Sequence, residues 1–491
     1  MVRRRALLGA ALLVMAGAGW SYRHIQSTIQ EVNGNGSQYG LIFTFAFVIL
    51  VWQTFLCYRE KPWRANAAQQ QILNAMRIGV VVPVYNEDPA ALRHCLASLI
   101  DQSRPFNMIY VVDDGSTKVD YAQEGVITWF KLACKRAGIP CAWAVKGNGG
   151  KRSAQGVAFM NADVDLWATS DSDSIWAPNA LHELQIPFRD TRVFSVAGIV
   201  VALNNTKNLL ARVTDLWFVT GQLIDRSAMS TMGSVLVNSG PIAMYRSEVI
   251  MKNLDGYLNE TFFKWKIEMS DDSLLTLYAL QEGKAVQQPT AFAFTLMPET
   301  LNHHVRQYLR WMRGAFIRSA WRFKYLPLKT YAFWGHLLGW IQMLMSTVIF
   351  VTLFFVQPVK SGQYLSAWPY LLSIPILIGY AQSLRYLAIR RSDQTLWSQL
   401  FTVALTPLAT VWAFFGLRII RWYAMCTPTV GGWGTRENIE LTMGGGAEPS
   451  APQVEVRRIV PWYADPDRTV VLAGSRAAAQ PTIYGRHRAA E

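Results

Sequence analysis

Long apolar runs lie only near the two ends of this 491-residue chain, and between residues 59 and 330 none is long enough to cross a bilayer. A spanning helix needs about 20 mostly apolar residues. Leu41 to Tyr58 meets that need and is followed by Arg59, Lys61 and Arg64. Ala6 to Trp20, after Arg3-Arg4-Arg5, reads as a short first span, although its basic start and Ala16-Gly17-Ala18 also fit a secretory leader. Arg23 to Gly40 is nearly free of Lys and Arg, so the positive-inside rule places the N-terminus and residue 59 onward in the cytoplasm. Trp334 to Val356 and Trp368 to Ile389 read as two more spans, with Arg385, Arg390 and Arg391 returning the chain to the cytoplasm. Leu396 to Met425 holds Pro407, with Arg390 and Arg391 before it and Arg418, Arg421 and Arg436 at or beyond its end. Basic residues at both ends predict a Pro-broken re-entrant or interfacial hairpin; the alternative is one Pro-kinked span.

Composition agrees with such a hybrid. Hydrophobic residues make up 51% and charged residues only 16%, against roughly a quarter charged in soluble domains. A fully soluble globular chain is excluded, and 19 Trp exclude wholesale disorder. Mean hydropathy is only +0.13, which argues against an all-membrane bundle. The five cysteines, 57, 95, 134, 141 and 426, form no zinc or redox spacing and read as reduced, mostly buried thiols. The net charge of +14 gathers at membrane flanks and in one amphipathic stretch, not on a reading helix, so nucleic acid is not expected as a partner.

The middle of the chain alternates short apolar runs with helix-like stretches, the pattern of a mainly parallel, doubly wound α/β domain. Ile78 to Tyr85 is a buried-strand pattern ending in Asn86-Glu87-Asp88-Pro89, which turns the chain and caps a helix over Ala90 to Ile100. Asn107 to Val112 is a second strand, ended by Asp113-Asp114-Gly115-Ser116. Both loops fall at one carboxyl edge, where open α/β folds bind ligands; on their own, Asp113 and Asp114 equally fit an Asx turn. Cys141 to Val145 reads as a third strand, and Gly147-Asn148-Gly149-Gly150-Lys151-Arg152 then opens a helix over Ser153 to Met160. Such a turn fits an anion site or a surface loop, and it is not a Walker A motif.

A fourth strand, Asp165 to Thr169, leads to Ser170-Asp171-Ser172-Asp173. Two acids one residue apart can converge on a hard cation, Mg²⁺ or Mn²⁺, completed by phosphate oxygens. Ser270-Asp271-Asp272 opens an apolar helix over Leu274 to Leu280; either Asp fits a helix cap or a general base. His303 to Trp321 is amphipathic and alternates Arg306, Arg310, Arg313 and Arg318 with Leu309, Trp311, Phe316 and Trp321. Its outer face suits anionic lipid, while Gln307 and Arg310 share another face.

In this order, Val-Val-Asp-Asp-Gly-Ser, Gly150-Lys151-Arg152, Asp171-x-Asp173, Asp271-Asp272 and Gln307-x-x-Arg310-Trp311 resemble the membrane-embedded, processive family 2 glycosyltransferases. Asn238-Ser239-Gly240-Pro241 to Tyr245-Arg246 and Trp433-Gly434-Thr435-Arg436 look like segments of the hyaluronan synthase branch. The resemblance implies a GT-A catalytic domain between N- and C-terminal transmembrane helices, with amphipathic interface helices. Residues 1–58 would hold two spans and 59–300 the cytoplasmic domain. Residues 301–330 would be the interface, 331–426 the C-terminal helices and the Pro-broken segment, 427–443 a gating loop, and 444–491 a disordered tail.

The resemblance also implies residue roles. Tyr85 would stack on uracil with Asp113 or Asp114 reading the base and Glu87 beside them. Lys151 and Arg152 would lie near the diphosphate or sugar. Asp171 and Asp173 would hold Mg²⁺ or Mn²⁺ and the UDP. Asp272 would be the general base, with Asp271 its rival. Gln307, Arg310 and Trp311 would shape the acceptor and diphosphate sites, and Trp433 and Arg436 would close over the nucleotide. The implied reaction joins UDP-GlcNAc and UDP-glucuronate into a growing β-linked polysaccharide, exported through the plasma membrane. Two other classes stay open: a non-processive transferase acting on a lipid, glycan or protein, and a membrane-anchored scaffold with a degenerate transferase domain. Two departures bear on the acceptor side. The family has Gly-Asp-Asp-Arg where this chain has Ser270-Asp271-Asp272-Ser273, and Tyr308 follows the first Gln of Q-x-x-R-W.

Overall fold

Ile78–Val84 (β1) is apolar without a break and buried at every position, as a strand covered on both faces requires. The structure, a computed structural model, describes residues 2–33, 37–356, 358–359, 368–430 and 454–456. Around β1 the sheet grows with Met108–Asp113 (β2), Cys141–Val145 (β3), Leu166–Thr169 (β4), Ile175–Trp176 (β5), Val193–Ala202 (β6) and Ala243–Arg246 (β7). Thr261–Phe262 (β8) and Trp265–Lys266 (β9) form a separate hairpin, and Lys284–Thr295 (β10) completes the large sheet. Its order is β3-β2-β1-β4-β7-β6-β10-β5. The β1–β2, β2–β3, β1–β4 and β6–β10 pairs are parallel. β7 runs antiparallel to both neighbours and β5 antiparallel to β10, so the sheet is mainly rather than wholly parallel.

The β1, β2 and β4 strands stand in direct parallel register, which brings the loops after residues 84, 113 and 169 to one edge. Helices Pro89–Ile100 and Lys151–Asn161 follow the first and third of the expected strands. The second begins two residues before its expected start, so Lys151 and Arg152 stand in its first turn instead of in the loop. The helix expected from Leu274 starts at Asp271, and the amphipathic stretch is one helix, Leu301–Tyr325.

The flanks differ in detail from the sequence expectation. Helices run over Val2–Asn33 and Ser37–Arg59, so the polar stretch after Trp20 continues the first helix instead of linking two spans. Within the second, Thr44–Arg59 is apolar but shorter than a span. Tyr331–Val356 is long and apolar enough to cross a membrane, with only 6% of its apolar window buried. The segment expected to span from Trp368 to Ile389 is α-helical only to Ser383 and then tightens to a 3-10 turn. Leu396–Ala404 and Thr406–Cys426 meet at a 41° bend, with Pro407 in the first turn of the second piece. Residues 431–443 of the expected gating loop, with Trp433 and Arg436, lie outside the described residues, as does most of the tail. Val454–Val456 is an exception to the expected disorder, pairing with Ile389–Arg391.

A buried polar joint explains the early helix end at Ser383. The Arg385 guanidinium donates to the carbonyls of Cys57 and Leu223 and pairs with Glu60 at 3.1 Å. Glu60 also accepts from Ser227 at 2.5 Å and from the Gln287 amide at 3.1 Å. One carboxylate thus ties both apolar flanks to the α/β domain. Arg385→Met strands that buried charge and is expected to destabilise the fold by about 3–5 kcal/mol. Glu60→Gln added to it should recover most of the loss. Thermal denaturation in detergent followed by size-exclusion reads both.

Candidate active site

The carboxyl edge of β1, β2 and β4 opens onto a cleft of about 340 Å³ lined by Pro83, Val84, Tyr85, Asp114, Lys151, Asp171 and Ser172. Asn86 turns the chain there in the left-handed region (φ 47°), and its side-chain oxygen accepts the backbone N–H groups of Thr117 and Lys118. Glu87 is buried beneath the next strand end, where the Ser172 hydroxyl donates to it at 2.7 Å. Its contact is therefore with the Asp-x-Asp turn. Asp113 accepts the Ser116 N–H at 2.9 Å, an Asx turn. Asp114 accepts from Lys146 Nζ at 2.7 Å and from the Gly149 and Gly150 N–H groups at 3.0 and 2.8 Å. The glycine-rich turn is thus pinned to β2 by one carboxylate.

Lys151 and Arg152 part company because adjacent helical residues point about 100° apart. Lys151 faces the cleft and is almost wholly buried, with Nζ 2.7 Å from Asp171 and 3.0 Å from Asp271. Burial works against its charge, but Asp171 and Asp271 outweigh it and raise its pKa. Arg152, expected near the diphosphate, turns the other way. It donates to the Met269 carbonyl at 2.5 Å and pairs with Glu260 at 2.7 Å. Glu260 also takes a two-pronged contact from the fully buried Arg318, at 2.6 and 2.9 Å. Arg318, on the amphipathic helix, turns inward and also reaches the Ser273 hydroxyl and the Ser270 carbonyl.

These two guanidinium groups hold the loop that carries Asp271 and Asp272. Ser270 sits in the left-handed region (φ 63°), where a side chain is disfavoured and where the family pattern has Gly. Asp271 and Asp272 occupy the first helical turn that follows, and the Gly240 N–H donates to Asp272 at 3.2 Å. Burial opposes ionisation of Asp271, but Lys151 holds its pKa below the ordinary value. For Asp272, burial together with the Asp271 carboxylate outweighs Lys151 and raises its pKa to about 6. The two neighbours are driven apart, one fixed as an anion and the other able to take up a proton near neutrality. Gly240 makes room for the cluster, since a Cβ there would stand 3.1 Å from Lys151 Nζ and 3.2 Å from the Asp171 carboxylate. Sequence reading used Gly240 only as part of a resemblance and missed this packing role.

Asp171 offers one oxygen to Lys151, and Asp173 accepts weakly from Ser174 at 3.4 Å. Among the described residues no cluster of three or more His, Cys, Asp or Glu groups can hold a metal by itself. Asp171 lines the cleft, and carboxylates one residue apart have the hard oxygen donors that suit a divalent cation completed by phosphate oxygens.

The helix Leu301–Tyr325 brings the Q-x-x-R-W residues to the same domain. Trp311 stacks on Phe218 with ring centroids 5.5 Å apart, and the Gln307 side-chain oxygen is buried without a hydrogen-bond donor. Tyr308 is fully buried, and its hydroxyl accepts from Arg421 at 3.1 Å. Arg313 donates to Thr427 at 3.1 Å, at the end of the last described helix.

Residues 76–314 match the family described as "Glycosyltransferase like family 2". A hyaluronan synthase of Streptococcus pyogenes is 32% identical over 406 residues, covering 82% of this chain and 91% of that protein. An N-acetylglucosaminyltransferase of Rhizobium meliloti is 34% identical over 241 residues, 49% of this chain and 55% of that one. Among solved structures, a mannosyltransferase from Pyrobaculum calidifontis in complex with GDP-Man and Mn²⁺ superposes with a TM-score of 0.51 at 17% identity, covering 82% of this chain and 99% of its own. That likeness shows the GT-A fold alone.

Gly314 on the interface helix lies against the base loop: a Cβ there would stand 2.8 Å from Ser270 Cβ and 3.1 Å from its Oγ. Gly314→Ala is expected to push Asp272 off its position and slow turnover roughly 10- to 100-fold. Ser270→Gly removes the atoms it meets, so the double variant should regain most of the activity. A double-mutant cycle on initial rates checks this.

Proposed function

The chain belongs to the family 2 glycosyltransferases, and from that premise we propose that it is a processive, inverting enzyme polymerising UDP-sugars into a β-linked, hyaluronan-like polysaccharide. One observation carries the reading. The likeness to the streptococcal hyaluronan synthase runs over 406 residues, more than the span from 59 to 330 contains, so it includes apolar flanks that single-sugar transfer does not need. The proposed donors are UDP-GlcNAc and UDP-glucuronate. The proposed location is the plasma membrane, with the catalytic domain cytoplasmic and the flanking helices carrying the polymer outward.

In this reading Tyr85 stacks on uracil, with Asp113 and Asp114 holding the base side of the cleft. Lys151 lies where the diphosphate enters, and Arg310 approaches it from the interface helix. Gln307 and Trp311 shape the acceptor side, and Trp433 and Arg436 close over the nucleotide. Mg²⁺ or Mn²⁺ held by Asp171 and Asp173 would supply electrostatic stabilisation of the leaving diphosphate. The acceptor hydroxyl attacks C1 from the face opposite the diphosphate, and its proton passes to Asp272. Asp271 stays ionised beside Lys151 and raises the proton affinity of that base. Arg152 serves the base loop through the Met269 carbonyl instead of touching the diphosphate.

A second reading, transfer of one or a few sugars to an acceptor, draws on the rhizobial N-acetylglucosaminyltransferase, which is 34% identical over 49% of this chain. Purified protein given radiolabelled UDP-sugars singly and in pairs, with Mg²⁺ or Mn²⁺, separates the two. Long polymer only with both donors is expected. Short products on an added acceptor would support the second reading, and absence of UDP release would sink both.

Asp272→Asn is expected to lower turnover by roughly 10²- to 10⁴-fold while UDP binding by calorimetry is retained. Retained turnover would move the base elsewhere. Because the Asp272 pKa is raised to about 6, the base is lost by protonation as pH falls through that value. The pH profile of kcat/KM should therefore show an acid limb near 6; a limb near an ordinary carboxylate value of about 4 would contradict the assignment.

A further inference from the structure

The β8–β9 hairpin carries a feature that catalysis does not explain. Thr261 pairs with Lys266 and Phe262 with Trp265, so Phe263 and Lys264 form a two-residue turn. Phe263 adopts φ 52° at the first central position, where such turns favour Gly. An aromatic residue there is strained, and strain of this kind points to function. Phe263 is nevertheless 81% exposed.

The surroundings repeat one chemistry. Trp265 is exposed beside it, with Lys264 over its ring at 5.3 Å. Phe262 packs edge-on against Trp321 of the interface helix at 5.7 Å, and Trp321 continues to Tyr325 at 5.8 Å. Lys324 stands over both of those rings, at 5.5 and 4.9 Å. Exposed Leu328 and Trp334 follow, joined by the Trp334 indole N–H to the Leu328 carbonyl at 2.9 Å. Tyr331–Val356, the helix able to cross a membrane, begins within this set. Exposed Lys264, Lys266, Lys324 and Lys329 lie on the two segments, and Glu268, 3.9 Å from Lys266, is the acid paired there.

We propose that the Thr261–Lys266 hairpin is a membrane finger: Phe263 and Trp265 enter the interfacial layer of an anionic bilayer, and the flanking lysines meet its headgroups. The occupant is a lipid surface because the patch joins aromatic rings with cations and is continuous with the start of the spanning helix. In that setting the strained turn holds Phe263 in lipid. The hairpin connects Glu260, held by Arg152 and Arg318, to the Ser270–Asp272 loop, so seating it also steadies the base.

This inference rests on the membrane placement proposed above, and site-directed spin labelling separates the two. Full-length protein carrying Cys141→Ser and Cys426→Ser is labelled at Phe263→Cys, with Trp265→Cys as a second position should the first not fold. The protein is placed in nanodiscs of phosphatidylcholine with phosphatidylglycerol. Collision with oxygen and with a water-soluble nickel chelate then reports depth. Leu344→Cys in the spanning helix and Leu132→Cys on the exposed helix Val126–Ala137 serve as lipid and water references. The expected result is nickel accessibility at residue 263 or 265 several-fold below that at residue 132. Water-like accessibility there with a lipid-like residue 344 overturns the finger and leaves the membrane placement standing; water-like values at both overturn the two together. Spin–spin broadening between labels at 263 would assign the patch to a second copy and also overturn the finger.

Discussion

The site depends on one buried ammonium. Lys151 Nζ lies between Asp171, on the loop after β4, and Asp271, in the first turn of the helix Asp271–Glu282. Without it, carboxylates from two segments would meet in a poorly solvated space, where like charges at short range cannot all stay ionised. With it, Asp271 keeps its charge, and that charge together with burial raises the proton affinity of Asp272. The loop after β4 and the Asp271–Asp272 turn are thus linked electrostatically. The position of Lys151 follows from the first turn of its helix, which begins at the glycine-rich turn pinned by Asp114.

Much of this was legible because parallel strands leave a plain trace. β1, β2 and β4 are short buried runs that each stop at polar, acid-rich loops, and direct parallel register places those loops side by side. β10 left no such trace. It carries Gln287, Gln288 and Thr290, polar residues that a strand pattern excludes. They are buried because each has a partner: Gln287 on Glu60 and Ser230, Gln288 and Thr290 on Glu183. Polar satisfaction between distant segments is invisible to periodicity, so the strand was missed.

The same limit explains Arg152 and Arg318. A doubly basic turn reads as an anion site, and an Arg on an amphipathic helix reads as a lipid contact. Both reach Glu260, which lies 58 residues before Arg318. A buried acid is stable when it is paired and hydrogen-bonded: the Glu260 carboxylate accepts from both guanidinium groups, which in turn donate to the backbone carbonyls of Met269 and Ser270. Charge in the sequence marked residues that matter, but only three-dimensional contact told binding groups from groups that hold a loop in place.

That contact also changes what the interface helix does. Leu301–Tyr325 touches the base loop through Gly314 and Arg318. The same helix holds the last described helix through Tyr308 with Arg421 and Arg313 with Thr427. Thr427 stands just before the segment that carries Trp433 and Arg436. Displacement of this helix therefore acts on two places at once: the loop that holds Asp272 and the anchor of the segment expected to close over the nucleotide. Because Gly314 leaves no spare volume against Ser270, the helix cannot shift along that contact without moving the Ser270–Asp272 loop. The helix Leu301–Tyr325, the Ser270–Asp272 loop and the last described helix are in this sense one mechanical unit.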